Sequence, residues 1–388
     1  MKLVGGGAGG ATMSRVGYIT GPPSQAGKHS LPQRISDCRN PVHRQGFTLV
    51  EVMIAMTIGL ILLAAVAQVF ATSRASYQFT DGLARVQENG RFGMHFLTWD
   101  ARMAGYMSCL RNSTPLTNHL NNPTDYATDF VLGQFISGHT YSGSGTGITD
   151  WNPALPANYF TDGEVVPNSD VLVIRRGSDA THKVLPPHMP TPSAALHLDL
   201  GNGLFVNDIV IVSDCKSADI FQITGPTDPD TTGTLNHNIG AVSQGPGNAT
   251  QDLSKTYADD AEILKLETHV YYIGRQNNDP SNPPALFRKR LHQGVLVSEE
   301  LVDSVESMQV SYGEDTDNDT AVDSYGKADM VTDWSRVATL RVGLLVRTPH
   351  NVDTELDRAT YVFDGATLGP FNDHRQRRVF TSTVSLRN

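Results

Sequence analysis

The sequence predicts an α+β fold in which one long N-terminal helix packs on a mostly antiparallel β-sheet domain. Residues 47–70 form an apolar run with a single charged residue, long enough for a helix. Apolar residues then recur at intervals of three, four, six and seven to about Ala104, as one buried helix face requires. Beyond that point come short, β-branched and often alternating segments separated by turn-rich gaps, which are typical of strands joined by hairpins.

The first 46 residues differ from the rest of the chain in composition and charge. They are rich in Gly, Pro and Ser and have neither helical nor strand periodicity. They carry a charge of +5, and subtracting this from the total of −10 leaves −15 on the remaining 342 residues. We expect the basic end to stay in the cytoplasm by the positive-inside rule, so that everything after residue 70 lies across the membrane. The acidic remainder disfavours nucleic acid as a partner.

Glu51 is the one charged residue in the apolar run. A 24-residue helix reaches roughly 36 Å, enough to cross a hydrocarbon layer of about 30 Å. A carboxylate costs about 2.5 to 3.5 kcal/mol at the centre of a bilayer and less near its edge, so an intramembrane acid requires a partner. The run contains no Lys or Arg, and the partner must therefore come from outside it.

From these residues alone, three interpretations of the segment remain open. The run is a signal anchor that stays whole, or a conventional signal cut after the A-x-A at residues 65–67, or a span that remains after cleavage between Gly46 and Phe47. The last interpretation explains Glu51, because the new α-amino group of Phe47 lies four residues upstream, one helical turn away. Between neighbouring chains, the amine and the carboxylate can offset each other's desolvation and set the register of packing.

The residues around this point resemble the signature of type IV prepilins. In GFTLVEVMIAMTIGLILL, which starts at Gly46, a basic residue shortly precedes the glycine, Phe47 takes the first mature position and Glu51 the fifth. The resemblance implies that a prepilin peptidase removes residues 1–46 as a leader peptide and methylates the Phe47 amine. It also implies that Glu51 helps to recruit the subunit into a growing filament.

Three further blocks are similar to minor pilins of the PilW type, namely residues 85–109, residues 211–223 and the ending RVFTSTVSLRN. This resemblance implies a pilin-like fold and a role in initiating or capping a type IV pilus. The implied partners are the membrane, the major pilin, other minor pilins, the prepilin peptidase and the inner-membrane assembly machinery. The precursor is expected in the inner membrane with a periplasmic C-terminal domain, and the mature chain in the pilus, at its tip. The nearest alternative is a minor pseudopilin of a type II secretion system, which shares the same helix.

The predicted helix has two halves, a transmembrane and filament-core half at residues 47–70 and an amphipathic half at residues 71–108. We expect the amphipathic half to bury a stripe of apolar side chains that consists of Phe79, Leu83, Val86, Phe92, Phe96 and Met103. Asp100 is expected on the solvent side, and Gly105 is expected to end the helix. Three glycines inside this half each lower helix propensity by about 1 kcal/mol relative to alanine, so bends are expected there.

Residues 109–388 are expected to form a β-rich periplasmic domain. Eight segments predict strands: 170–176, 205–215, 218–225, 263–274, 285–291, 306–313, 337–348 and 378–386. Two long polar gaps, 110–168 and 226–258, interrupt the pattern. The aromatic residues of the first gap are either exposed for binding or buried against the body, and we expect burial. They are Trp151, Tyr159 and Phe160.

Two of the three cysteines remain after removal of the leader. Cys38 leaves with the leader, whereas Cys109 follows the long helix and Cys215 follows a predicted strand. An even number of cysteines in an oxidising compartment predicts a disulfide, which would tie the helix to the sheet and which the family resemblance also favours. A metal site or a catalytic thiol pair is disfavoured, because no histidine lies near either cysteine at zinc-site spacing.

An acidic segment, GEDTDNDTAVDSYGKAD, places Asp315, Asp317 and Asp319 at alternate positions and Asp323 four residues later. Closely spaced carboxylates repel one another, and a hard cation such as calcium relieves that repulsion. The EF-hand pattern is incomplete, because Thr320 and Gly326 stand where that loop requires a glycine and a glutamate. The segment is therefore either a calcium loop or a solvated turn, and calcium is the one cofactor that the sequence suggests.

No catalytic motif is present, and the chain is not expected to be an enzyme. The sequence contains no H-E-x-x-H, C-x-x-C, G-x-S-x-G or P-loop, and the G-x-G-x-x-G at residues 5–10 has neither a strand before it nor a helix after it. The 13 histidines are scattered, and none is assigned a role. The alternative from another functional class is a periplasmic binding or catalytic domain behind a conventional signal.

Overall fold

The computed structural model describes residues 46–240, 242–319 and 321–386. Apart from Gly46, the predicted leader lies outside these residues, together with Cys38 and the glycine-rich segment at residues 5–10. The chain divides into two units, the first ending at Ala64 and the second beginning at Ala65.

A single helix, α1 (Leu49–Met103), accounts for 55 of the described residues. It ends within a residue of the expected end. Gly105 follows with φ of +75°, a left-handed conformation that glycine adopts without strain, and its amide donates to the carbonyl of Arg175 at 3.0 Å. The predicted stop at Gly105 is therefore confirmed.

The rest of the described chain is mainly β-structure. The strands are β1 (Leu116–Asn118), β2 (Ile136–Tyr141), β3 (Trp151–Asn152), β4 (Val171–Lys183), β5 (Leu196–His197), β6 (Ile209–Ser213), β7 (Ala218–Gln222), β8 (Thr234–Leu235), β9 (Glu262–Arg275), β10 (Pro284–His292), β11 (Val295–Asp303), β12 (Val305–Glu314), β13 (Ser324–Gly326), β14 (Val337–Arg347), β15 (Tyr361–Phe363), β16 (Ala366–Leu368) and β17 (Arg377–Ser385). A one-turn helix, α2 (Pro229–Thr232), and three short 3₁₀ turns at Ile148–Asp150, Gln276–Asn278 and Trp334–Arg336 complete the elements.

Two sheets dominate the second unit. The larger has the order β1-β7-β6-β9-β4-β2-β3, with β10 paired to β9 and β11 to β10, and the smaller has the order β13-β12-β14-β17. The one parallel pairing among the described strands is β1 with β7. The predicted α+β class with a mostly antiparallel sheet is confirmed. All eight predicted strands are present. The sequence pattern missed the exposed hairpin strand β11 and the shorter strands β1, β2, β3, β5, β8, β13, β15 and β16.

The second half of α1 buries one stripe that is narrower than the predicted one. Its buried residues are Gly82, Val86, Gly90, Gly93, Leu97, Asp100 and Ala101, which recur at the spacing of one helix face. The prediction is correct for Val86 but wrong for Phe79 and Phe92, which are exposed, Phe92 by 52%. It is also wrong for Asp100, which is buried. The reason is that the buried face carries Gly82, Gly90 and Gly93 beside Val86 and Leu97, whereas Phe79 and Phe92 lie off that face.

The glycines of this stripe let the helix approach the sheets closely. A Cβ at Gly90 would lie 2.3 Å from the ring of Phe380 in β17, and one at Gly93 would lie 2.8 Å from Leu344 in β14. Interiors are close-packed, so neither position accepts a larger side chain without a shift of its neighbour. The glycines therefore stand inside one continuous helix because of packing, although each lowers helix propensity by about 1 kcal/mol.

One turn further on, Asp100 joins α1 to the larger sheet. Its Oδ2 lies 2.5 Å from Nδ1 of His269 and accepts a hydrogen bond from the hydroxyl of Tyr271, both in β9. The guanidinium groups of Arg176 and Arg288 each lie 3.6 Å from one of its oxygens. Burial alone would raise the pKa of Asp100, but the hydrogen bonds from His269 and Tyr271 and the charge of Arg176 hold that pKa below its ordinary value. The buried carboxylate is therefore ionised at neutral pH.

The disulfide and the buried aromatics hold the loops that follow the helix. Cys109 and Cys215 form a disulfide with a Cα–Cα distance of 5.4 Å, as predicted. Trp151 and Phe160 are each 2% exposed, so the prediction that they bury their rings is confirmed. The indole of Trp151 donates to the carbonyl of Ser169 at 2.8 Å. The first polar gap is thus an ordered part of the body.

Removing the charge of Asp100 is expected to destabilise the second unit. Asp100→Asn would remove the charge shared by His269, Arg176 and Arg288. Arg176 keeps Glu267 and Arg288 keeps Glu299, so the loss should be about 1 to 3 kcal/mol, the cost of a poorly satisfied buried polar group. The matched control Asp81→Asn removes an exposed acid of the same helix, paired with Arg85 at 3.0 Å, and should cost less than about 1 kcal/mol. Urea unfolding of the full chain in detergent would measure both. Equal losses would contradict an anchoring role for Asp100.

The stabilisation from Asp100 should also depend on pH. Because the folded-state pKa of Asp100 is lowered, its contribution is present above the unfolded value of about 3.9 and is lost as the pH falls through the folded value. The Asp100→Asn variant should therefore lose less stability on acidification than the parent chain.

Removing the disulfide is expected to lower the unfolding free energy by about 2 to 5 kcal/mol, because the bridge closes a long loop in the unfolded chain. The two cysteines are 106 residues apart. Thermal unfolding of the parent chain should shift to lower temperature on addition of a thiol reductant, whereas a Cys109→Ser, Cys215→Ser double variant should show no further shift. A reductant-insensitive parent chain would count against this role.

Candidate functional site

The predicted processing site lies at the start of α1. Apart from its neighbours in the chain, no described atom comes within 4 Å of the position that a Gly46 Cβ would occupy, and Phe47 is 86% exposed. Glu51 follows in the first turn of the helix. The structure therefore places Gly46, Phe47 and Glu51 together at one exposed helix end.

Glu51 also caps this helix end. The amide of Thr48 donates to Oε2 of Glu51 at 2.9 Å, and the amide of Glu51 donates to Oγ1 of Thr48 at 3.2 Å. The Thr48 hydroxyl donates to the same carboxylate oxygen at 3.0 Å. This reciprocal pair is a capping box, which satisfies two amides that the helix cannot satisfy by itself. The spacing Thr-x-x-Glu carries this signal in the sequence.

The capping hydrogen bonds leave part of the Glu51 carboxylate available to a charged partner. Both side-chain hydrogen bonds of the carboxylate go through Oε2 to Thr48. A carboxylate has two oxygens with about four acceptor positions, so Glu51 can accept a bond from an amine without releasing its cap. If the cap is released, the cost is about 1 kcal/mol.

The apolar run is exposed on all sides of the helix. Its large hydrophobic side chains between residues 47 and 70 are exposed by 43% to 86%. The most apolar 18-residue window of α1 has a mean hydropathy of 2.5 and no buried residue. A continuous apolar surface of this size requires a nonpolar environment, either a bilayer or neighbouring apolar helices.

The acidic segment brings together three of its four predicted ligands. Asp315, Asp317 and Asp323 each offer an oxygen atom, and the three atoms lie within 4.8 Å of one another. Asp319 is outside this group, and its Oδ1 instead accepts the amide of Ala321 at 2.8 Å. The loop joins β12 to β13, and Asp323 pairs through its amide with the carbonyl of Glu314 at 3.0 Å.

The pKa values of two aspartates in this loop are shifted in opposite directions. The amide of Asp319 acts to lower the pKa of Asp317, but desolvation and repulsion from Asp319, Asp323 and Asp315 outweigh it and raise that pKa. Two hydrogen bonds from Thr316 lower the pKa of Asp323, and the bond from its hydroxyl has a larger effect than the bond from its amide. The hydroxyl of Thr316 lies 2.5 Å from that carboxylate, and its amide 2.7 Å. The repulsion felt by Asp317 is what a bound cation would relieve.

Two family models match the chain. Residues 42–67 match the Prokaryotic N-terminal methylation motif, and residues 270–388 match the Type IV Pilus-assembly protein W family. The first match contains Gly46, Phe47 and Glu51, and the second contains the whole smaller sheet. Of the three blocks that resemble PilW-type minor pilins, the C-terminal one lies inside a match. No curated protein and no solved structure matches the chain.

Calcium binding by the acidic loop remains a prediction. Calorimetric titration of the full chain in detergent with calcium chloride should give a dissociation constant of about 10⁻⁴ to 10⁻³ M, the range of weak extracellular sites. Asp317→Asn should abolish the heat, because the loop would lose one of three converging carboxylates. Asp329→Asn, which removes an exposed acid from the same region, is the matched control and should change nothing. No heat at millimolar calcium would leave the loop as a solvated turn.

Proposed function

From the two family matches, which support a prepilin-like protein of the PilW type, we propose that the chain is a minor pilin that helps to initiate or cap a type IV pilus. The observation that carries this proposal is the exposed Gly46–Phe47 bond at the start of a helix that is apolar on every side. Glu51, the one acid of that apolar run, lies a single turn beyond the bond. Such a surface serves assembly and not catalysis.

Processing would create the charge that Glu51 requires. Cleavage after Gly46 by a prepilin peptidase leaves an α-amino group on Phe47, next to the capping box, and the methylation motif indicates the modification of that amine. When a second apolar helix packs beside the first, its amine and the Glu51 carboxylate meet in a medium of low dielectric constant. Their attraction is stronger there than in water and offsets the cost of desolvating both groups.

The apolar surface would then be covered by other pilin helices. The bilayer holds α1 before assembly, and the major pilin and the other minor pilins replace lipid as the chain leaves the inner membrane for the pilus tip. The disulfide between Cys109 and Cys215 supports an oxidising compartment, the periplasm, for the second unit. The same helix would serve a minor pseudopilin of a type II secretion system, and the smaller sheet within the PilW match favours the pilus.

A conventional signal peptide is less compatible with the structure. Residues 65–67, the A-x-A at which a signal peptidase would cut, lie inside the continuous helix α1. N-terminal sequencing of the mature chain separates the two cases, because cleavage before Phe47 starts the chain at a methylated Phe47, whereas signal cleavage starts it at Gln68. A start at Gln68 would overturn the proposal.

A pair of variants separates the charge of Glu51 from its capping role. Glu51→Gln keeps a side chain that can complete a capping box but removes the charge. The variant should be processed normally. The number of pili per cell should fall about tenfold or more, because docking would lose the free energy of one charge-assisted hydrogen bond. Thr48→Val removes the cap and leaves the charge, and it should form pili at near-normal numbers. Electron microscopy of a strain that carries each variant as its single copy would count the pili.

The outcome that would contradict the docking role is normal piliation with Glu51→Gln. Secreted enzyme activity in a deletion strain, measured beside the pilus count, distinguishes a pilus role from a secretion role. A loss of secretion with intact pili would favour the pseudopilin.

A further inference from the structure

A cavity of about 350 Å³ lies in the second unit, beside strand β2 and the 3₁₀ turn at Trp334–Arg336. Its walls come from several elements and include Tyr126, Asp129, Ser137, His139, Arg175 and Trp334. The volume is at the lower end of the range for sites that bind small molecules, and the mixture of an aromatic wall and a few polar groups is typical of them. None of these residues takes part in the proposed assembly role.

Arg175 has no carboxylate at ion-pair distance in this cavity, and the charge of Asp129 acts on it only from further away. The residue is 5% exposed, and its guanidinium makes two hydrogen bonds to neutral groups, one to the Ser137 hydroxyl at 3.2 Å and one to the Tyr126 carbonyl at 3.0 Å. Its Nε has no acceptor among the described residues. Among the described residues no carboxylate lies within 4.0 Å of the guanidinium, and the two hydrogen bonds leave three of its five N–H donors without an acceptor.

Two other buried arginines, Arg176 and Arg377, have carboxylates at ion-pair distance. Arg176, as deeply buried, lies within 2.8 Å of carboxylate oxygens of Asp179 and Glu267 and 3.6 Å from Asp100. Arg377 is surrounded in the same way by Glu306, Asp357 and Asp373. A buried charge without a counter-charge costs several kcal/mol, so Arg175 is the exception that requires an explanation.

We infer that the cavity binds a small carboxylate, which supplies the missing counter-charge of Arg175. A guanidinium presents its N–H groups as a planar fork that matches the two oxygens of a carboxylate. Tyr126 lines the same cavity, and its buried hydroxyl has no hydrogen-bond partner among the described residues, so it can donate to the same anion. The ligand could be a free small acid or the C-terminal carboxylate of a peptide, and both present the same group to Arg175.

Two other groups in the cavity limit what can bind. Burial lowers the pKa of His139, and its Nδ1 donates to the Pro153 carbonyl at 2.7 Å, so the ring is neutral and adds no positive charge. Asp129 also lines the cavity, where its charge opposes an anion. A single negative charge on the ligand is therefore favoured over two, and removal of the Asp129 charge should strengthen binding.

The test uses the full chain in detergent and trifluoroacetate as the probe, observed by fluorine NMR. The parent chain should broaden the probe signal in a saturable manner, and unlabelled acetate should reverse the broadening. Arg175→Met should abolish saturable broadening, and Arg175→Lys, which keeps the charge but not the fork, should weaken it about tenfold, the loss of about one charge-assisted hydrogen bond. Arg111→Met, which removes an exposed arginine, is the matched control and should behave as the parent chain.

Two measurements keep the test decisive. Arg175→Met should unfold at a temperature no lower than the parent chain, because an uncompensated buried charge is removed, and Arg175→Lys provides a second variant if the first fails to fold. A short acetylated peptide with a free C-terminal carboxylate, compared with its amidated form, distinguishes a peptide end from a free acid. The site is supported if the free-carboxylate peptide competes, whether or not acetate competes as well. The amidated peptide should not compete.

Equal saturable broadening by the parent chain and Arg175→Met would overturn the inference, since the probe would then bind elsewhere. So would the absence of saturable broadening by the parent chain. Broadening by Asp129→Asn in that case would mean that Asp129 turns to Arg175 in solution and serves as its counter-ion. Tighter binding to Asp129→Asn than to a parent chain that also binds would support the site.

Discussion

The close contact between α1 and the two sheets is the constraint on which the second unit depends. Gly90 and Gly93 remove the side chains that would hold the helix away from β17 and β14, and Asp100 then reaches the hydrogen-bond donors of β9. The core that results contains Val86, Leu97 and Ala101 of the helix together with residues of both sheets. A single helix face therefore joins two sheets that do not pair with each other.

Glu51 has one role in the isolated chain and would have a second one under the proposed function. In the isolated chain it completes a capping box with Thr48, which accounts for a carboxylate at the start of an apolar helix without any partner protein. A cap contributes about 1 kcal/mol, whereas the cost of placing a carboxylate inside a bilayer reaches about 2.5 to 3.5 kcal/mol at the centre. The proposed docking role is compatible with the cap because the cap uses one oxygen of the carboxylate.

The buried charges of the second unit mark the places where loops are joined to sheets. Asp100 joins helix to sheet, and Arg377 holds the segment between β14 and β17 through Glu306, Asp357 and Asp373. Each of these groups is surrounded by opposite charge, which is the condition under which a buried ion is stable. Arg175 breaks this rule inside a cavity. For this reason the cavity stands apart from the rest of the interior.

The sequence by itself determined the long helix, its apolar half, the processing signature, the eight main strands and the pairing of Cys109 with Cys215. The helix, its apolar half and the strands follow from periodicity and local composition, and the disulfide follows from a count of cysteines. The processing signature follows from the resemblance to type IV prepilins. None of these requires knowledge of distances between remote residues. It did not determine which helix face is buried, because hydrophobicity pointed to Phe92 whereas close packing selected Gly90 and Gly93. Only the tertiary structure decided that Asp100 is buried with His269, that Asp319 stands apart from the other acids of its loop, and that Arg175 lacks a partner. These features depend on residues that meet across more than 100 positions of sequence or on the orientation of side chains in a turn, and neither is encoded in a local pattern.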